Sequence, residues 1–212
     1  MDEHPRVDDR QRRGRPRTLT PRSSGSYNPG VSGEHAILTY RDYEALPADG
    51  RRYELHDGVL SVTPAPGTRH QRVSSALNWI LKGHVTEHGL GEVLYAPVDV
   101  ILADSTIVQP DLVFLDPTRS HLVSERAIEG PPTLVVEILS PSTIVIDRTA
   151  KWRLYRRFGV PHHWIVDPEA RRIEAYTLGA REYELAARAS GDTPAALPPF
   201  LHLAVVPAAL WP

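Results

Sequence analysis

The sequence contains no cysteine, which excludes disulfide bonds and thiolate metal sites and fits a reducing compartment. It has no apolar run that approaches roughly 18 residues, and its N-terminal region has no apolar core like that of a secretory signal. The sequence therefore supports neither a transmembrane span nor export. We expect a cytoplasmic protein that has no membrane partner.

Lysine is almost as scarce as cysteine. Only Lys82 and Lys151 occur, against 22 arginines, so this chain's bias predicts arginine wherever a positive charge alone is needed. A lysine ammonium can exchange a proton and act as a compact point charge, whereas arginine stays protonated. We infer that position 151 requires a lysine because of these properties of the ammonium group, and not merely because it needs a positive charge. The net charge of -2 gives no overall attraction for nucleic acid, so a polyanion would need a local basic patch.

Residues 1–33 hold seven arginines, four prolines and four acidic residues with few apolar side chains. Such a composition cannot offset the entropy lost on ordering, so we predict a disordered tail. Within it, Arg13-Gly14-Arg15-Pro16-Arg17 resembles the core of an AT-hook, although a solvated basic tail is the favoured interpretation. The remaining residues, 34–212, are predicted to form one domain.

Two short apolar runs each contain a carboxylate. Asp111 lies in the run 110–115 and Glu137 in the run 134–139, both typical of strands buried on two faces. Burying an ionised carboxylate among aliphatic side chains costs several kcal/mol unless it is paired or binds a cation. If the two strands are neighbours, the carboxylates converge. A site for a hard cation such as Mg²⁺ is then the economical explanation, and a strand-end cap or an arginine pair is the structural alternative.

The segment after Glu137 is predicted to be a helix that begins at Asp147 as its N-cap. Lys151 and Tyr155 follow at i+4 and i+8, so they share one face. We expect Lys151 to face the cleft, where its removal would leave folding intact. Tyr155 and Trp164 are predicted to be core aromatics rather than residues that stack on bases.

The other elements follow from ordinary sequence signals. We predict a short helix from residue 38 with a capping box at Thr39 and Asp42, a hairpin turning at 57–58, and a helix over 69–88. Residues 92–102 and 106–115 predict a strand meander, and 162–166, 173–178 and 183–187 predict further strands. The spacing of His70, His84 and His88 argues against a zinc site, and a lone strand residue such as Glu54 is weak evidence of function.

Several motifs in order carry a family resemblance. They are Tyr53-Glu54-Leu55, Asp57-Gly58, Pro110-Asp111, Glu137-Ile138-Leu139-Ser140-Pro141-Ser142, Asp147, Lys151, Tyr155, Gly159-Val160 and Trp164-Ile165-Val166-Asp167-Pro168. Over roughly residues 38–204 the chain resembles the Uma-two family of candidate restriction endonucleases, within the PD-(D/E)XK nuclease superfamily.

The resemblance implies an α/β (α+β) fold with a restriction-endonuclease-like mixed central sheet flanked by helices. It implies a magnesium- or manganese-dependent endonuclease with DNA as partner, and a homodimer. Asp111, Glu137 and the backbone carbonyl of Ile138 are the implied metal ligands, and Glu54 is an accessory acid. Leu139 stands where the superfamily's catalytic lysine normally lies, so catalysis depends on Lys151 substituting for it, as in the family as a whole.

Two functions of different classes stay open. One is a metal-dependent endonuclease that hydrolyses DNA phosphodiester bonds with Glu54, Asp111, Glu137 and Lys151 as catalytic residues. The other is a non-catalytic DNA-binding or assembly protein that keeps the nuclease fold.

Overall fold

The structure is a computed structural model that describes residues 36–211. The predicted tail, including its AT-hook-like segment, lies outside the described residues. Within the described range, no helix is both long enough and apolar enough to cross a bilayer.

The described chain contains twelve strands, four α-helices, two 3-10 helices and one π-helical turn. The strands are β1 (Arg52–His56), β2 (Val59–Thr63), β3 (Glu92–Tyr95), β4 (Val100–Ala103), β5 (Thr106–Val108), β6 (Leu112–Leu115), β7 (Leu134–Ile138), β8 (His162–Asp167), β9 (Arg172–Leu178), β10 (Tyr183–Ser190), β11 (Ala195–Leu197) and β12 (Phe200–Val205). The helices are α1 (Tyr40–Glu44), α2 (Thr68–Glu87), α3 (Ile144–Ile146) and α4 (Trp152–Arg157), with 3-10 helices at Pro117–Leu122 and Pro207–Leu210.

The central element is a six-stranded mixed sheet in the order β10-β9-β8-β7-β6-β3. Only β7 and β8 pair in parallel, and the segment that contains α3 and α4 connects them. A second sheet has the order β2-β1-β5-β4, and β11 pairs with β12. The predicted mixed sheet flanked by helices is confirmed.

Helices pack on both faces of the central sheet because its strands alternate apolar side chains. Val73, Leu77 and Leu81 of α2 pack on one face against residues that include Val136 of β7. On the other face, Leu154 of α4 packs near residues that include Val135. Glu137 lies two residues after Val135 and therefore points toward the α4 side of the sheet.

The predicted hairpin and the predicted helix over 69–88 are confirmed. Strands β1 and β2 pair on either side of the turn at 57–58, and α2 spans Thr68–Glu87. The short N-terminal helix is also present, and the Thr39 backbone N–H donates to the Asp42 carboxylate at 2.9 Å.

The predicted strand meander over 92–115 is confirmed in its antiparallel pairing, because β3 pairs with β6 and β4 pairs with β5, but its two arms are divided between two sheets. Strands β3 and β6 belong to the central sheet, whereas β4 and β5 belong to the second sheet. The chain leaves one sheet after Tyr95, pairs β4 with β5, and returns at Leu112. Asp111 consequently precedes β6 instead of lying within a continuous strand.

His163 of β8 is a fully buried histidine in the core on the α4 side. Its ring packs against Trp152, Tyr155 and Tyr183 with centroid separations of 5.2–5.7 Å, and neither ring nitrogen has a hydrogen-bond partner. Burial, with smaller contributions from the charges of Lys151 and Arg148, lowers the pKa of His163 to about 3. The fold therefore requires this side chain to be neutral.

We predict that His163 makes the protein acid-sensitive. The unfolded chain takes up a proton near pH 6.5 and the folded chain does not, so the stability that is present above pH 6.5 falls as pH decreases toward 3. At pH 5 this costs about 2 kcal/mol of unfolding free energy. Denaturant unfolding of His163→Phe should show a shallower loss between pH 7 and 5, with exposed His202→Gln as control. An unchanged slope would remove His163 from the pH dependence.

Candidate metal-dependent active site

The two strand carboxylates converge as the alternation of side chains predicts. Strands β6 and β7 are antiparallel neighbours with Leu112 opposite Val136. One step further, the Asp111 backbone N–H donates to the Val136 carbonyl at 3.1 Å, which extends the register and brings Asp111 opposite Glu137. Both carboxylates are buried.

Lys151 is the central cation of the site. Its Nζ lies 3.2 Å from both carboxylate oxygens of Glu137, 2.9 Å from Oε1 of Glu54 and 3.5 Å from Oδ1 of Asp147. The three carboxylates come from β7, β1 and the helical segment after β7. A single ammonium therefore forms ion pairs with carboxylates from three separate parts of the fold.

The predicted N-cap role of Asp147 is wrong. Asp147 begins a π-helical turn, Asp147–Lys151, that continues α3 and leads directly into α4, and Thr143 precedes this helical segment. The side chain of Asp147 is buried near Lys151 instead of facing a helix end. Single π-turns recur at functional sites because the extra residue redirects side chains. Here the turn brings Asp147 and Lys151 inward together.

Tyr155 is buried, as predicted, and it also has a polar role that the sequence did not indicate. Its hydroxyl donates to Oε1 of Glu137, which Lys151 also contacts. Lys151 and Tyr155 thus approach the same carboxylate from one helical face. Trp164 is a core residue, and its indole N–H donates to the Pro198 carbonyl.

Asp111 is held by donors that sequence reasoning missed. Arg52 lies 3.1 Å from Oδ1, while the Ile138 backbone N–H and His70 Nε2 lie 2.7 and 3.1 Å from Oδ2. Burial by itself raises the pKa of Asp111, but His70 and Arg52 lower it below its ordinary value. A signal for Arg52 did exist, because it lies two residues before Glu54 and shares its face of β1.

The electrostatics divide the carboxylates into two kinds. Burial alone would raise the pKa of Glu54. The nearby Lys151 and His56 lower this pKa by a larger amount, so the net shift is downward. For Glu137, burial outweighs Lys151 and raises the pKa to about 8, and burial also raises the pKa of Asp147. Four buried carboxylates thus share two full cations, Arg52 and Lys151. The site therefore has fewer positively charged groups than acidic groups.

These side chains line one cavity of about 230 Å³. Its wall includes Arg52, Glu54, His70, Asp111, Glu137, Ile138, Asp147 and Lys151. No group of three or more acidic or histidine side chains among residues 36–211 is arranged as a ready metal cage. The absence of such a cage follows from the contacts of the two carboxylates. Arg52 and His70 contact the oxygens of Asp111, and Lys151 and Tyr155 contact those of Glu137.

A family model described as "Putative restriction endonuclease", Uma2, matches residues 40–208. The chain belongs to the Uma2 family. The expected family resemblance is thereby confirmed, and the match covers every residue of the cavity named above. No curated protein matches this Uma2 chain.

Among solved structures, this Uma2 chain is similar to one titled as a putative nuclease belonging to DUF820 from Anabaena variabilis ATCC 29413. The two are 19% identical with a TM-score of 0.66, and the match covers 82% of this chain and 97% of the other. At this identity the likeness shows a shared fold. The family match supports a nuclease function.

We predict that removing the Lys151 charge destabilises the protein, in contrast to the sequence-based expectation that folding stays intact. Lys151→Met leaves three buried carboxylates without their common cation, so the unfolding free energy should fall by about 3 to 5 kcal/mol. The only other lysine, exposed Lys82, supplies the matched control, and Lys82→Met should change it by less than about 0.5 kcal/mol. Equal stability of both variants in urea titrations would contradict a structural ion pair at Lys151.

Proposed function

We propose that the protein is an endonuclease that hydrolyses DNA phosphodiester bonds with Mg²⁺ or Mn²⁺. The observation that carries this proposal is the shortage of positive charge in the cavity, where four buried carboxylates share Arg52 and Lys151. A divalent cation would supply the two missing charges. The raised pKa of Glu137 has the same origin, since that carboxyl lacks a sufficient counter-charge.

Asp111 and Glu137 would hold the cation, with the backbone carbonyl of Ile138 as a third oxygen. Oxygen ligands suit hard ions of this kind, and the carboxylates of Asp111, which directly precedes β6, and of Glu137 in β7 line the same cavity. The bound ion would act as a Lewis acid that polarises the phosphate and favours ionisation of a water molecule.

Lys151 would position the attacking water and stabilise the charge that develops on the phosphate. Its ammonium has three donors, and its contacts to Glu54 and Glu137 fix it at the cavity wall. Glu54 acts through this lysine as an accessory acid. Its carboxylate also accepts the Gln109 backbone N–H at 2.7 Å, which holds it in place.

We further propose that residues 34–212 act as one domain and that the protein works as a homodimer. These two statements rest on the family resemblance and on the common use of two-fold assemblies by enzymes that cut both strands of a duplex.

We predict that Mg²⁺ or Mn²⁺ raises the melting temperature of the wild-type protein, because a cation that binds only the folded state stabilises it. Asp111→Asn/Glu137→Gln should lose this rise. The matched control is Asp104→Asn/Glu125→Gln, which removes two carboxylates outside the cavity and should keep the rise. A rise of equal size in the Asp111/Glu137 variant would place the metal site elsewhere.

We predict that wild-type protein cleaves plasmid DNA with Mg²⁺ or Mn²⁺ and fails in EDTA. Lys151→Arg should lose most cleavage at equal folded fraction, because the planar guanidinium keeps the charge but does not fit the compact position of the ammonium between Glu54 and Glu137. Wild-type cleavage by Lys151→Arg would remove Lys151 from the mechanism. DNA binding without cleavage by the wild type under every metal condition would favour the alternative, a non-catalytic DNA-binding protein.

A further inference from the structure

Four arginines surround a second cavity on the outer side of α4. Arg153, Arg156 and Arg157 come from α4, and Arg181 comes from the turn between β9 and β10. The cavity has a volume of about 750 Å³, and the β1–β2 hairpin forms its other wall. We call these four residues the arginine cleft.

The arginine cleft carries surplus positive charge. Arg157 pairs with Asp57 and Arg156 pairs with Glu182. Among residues 36–211, Arg153 and Arg181 form no ion pair, and both are exposed. Two unbalanced cations thus face one cavity, in a chain whose net charge is -2.

Helix electrostatics explain only part of this arrangement. Cations near a helix C-terminus interact favourably with the helix dipole, which accounts for Arg156 and Arg157 at the end of α4. Arg181 lies on a different element and gains nothing from that dipole, yet it faces the same cavity. The shared feature of the four side chains is therefore the cavity and not the helix end.

Strand β1 connects the arginine cleft with the cavity of about 230 Å³ that contains Lys151. We call the latter the catalytic cavity, after the function proposed for it. Alternate residues Arg52, Glu54 and His56 share one face of this strand. Arg52 and Glu54 line the catalytic cavity, His56 lines the arginine cleft, and His56 Nε2 lies 3.2 Å from Oε2 of Glu54. At roughly 3.3 Å per residue, about 13 Å separate the positions of Arg52 and His56 along the strand.

We propose that the arginine cleft binds backbone phosphates of the DNA whose scissile bond lies in the catalytic cavity. Guanidinium groups match phosphate oxygens in geometry and charge, and Arg153 and Arg181 have donors free of acidic partners within the described residues. This inference rests on the proposed function for its ligand. It adds where DNA flanking the cleavage site is held.

The test measures binding of a short fluorescent DNA duplex to full-length protein in EDTA, so that cleavage does not enter. Arg153→Gln/Arg181→Gln should lower affinity about tenfold or more at low salt and reduce the slope of log K against log salt by about 1.8. The control is Arg41→Gln/Lys82→Gln, which removes two charges from residues that line neither cavity and should bind nearly as wild type. Thermal melting checks that both variants are folded.

Two outcomes would overturn the proposal: wild-type affinity and slope in Arg153→Gln/Arg181→Gln, or an equal loss in both variants. Failure of the proposed function has a different signature. In that case the wild type binds the duplex through the arginine cleft but does not cut plasmid with Mg²⁺ or Mn²⁺. If the wild type cuts plasmid DNA and Arg153→Gln/Arg181→Gln binds the duplex as tightly as the wild type, the arginine cleft does not bind DNA and the proposed function stands.

Discussion

The contacts of Lys151 with three buried carboxylates are the interaction on which the rest of the site depends. Glu54, Glu137 and Asp147 come from the second sheet, the central sheet and the π-helical turn. Without a cation between them, these groups would repel one another in a poorly solvated place. The ammonium therefore fixes how the second sheet and the helical segment approach β7. Folding and the chemistry of the site are linked through one side chain.

That side chain does not balance the charge around it. Replacing a buried ion cluster by apolar side chains is often neutral or stabilising, so stability alone does not account for these carboxylates. The raised pKa of Glu137 records the unfavourable burial. Asp111 lies opposite Glu137 and is held by Arg52 and His70, so it stays ionised beside a carboxyl that burial tends to neutralise. Such an imbalance is typical of binding sites for an additional cation.

The sequence predicted the parts of the site that follow from strand alternation and composition. Alternation brought Asp111 and Glu137 together, and the scarcity of lysine singled out Lys151. The sequence did not predict the contacts of Arg52 and His70 with Asp111, because these contacts span 59 and 41 residues. The one available signal was that Arg52 shares its face of β1 with Glu54. Asp147 was misassigned because the helical segment begins after Thr143, so that Asp147 lies inside it and not at its start. The sequence did not show that the two arms of the meander are divided between two sheets, because strands of three or four residues do not specify which sheet they join.

Strand β1 shows why the site and its surroundings must be considered together. Its buried face supplies Glu54 to Lys151, and its end turns into the hairpin where Asp57 pairs with Arg157 of α4. Both contacts join β1 to the same helical segment, one through the π-turn and the other through α4. Strand β1 thus lines both the cavity that contains Lys151 and the cavity of the arginine cleft. A displacement of this strand would change both, because Arg52 and Glu54 form part of one wall and His56 forms part of the other.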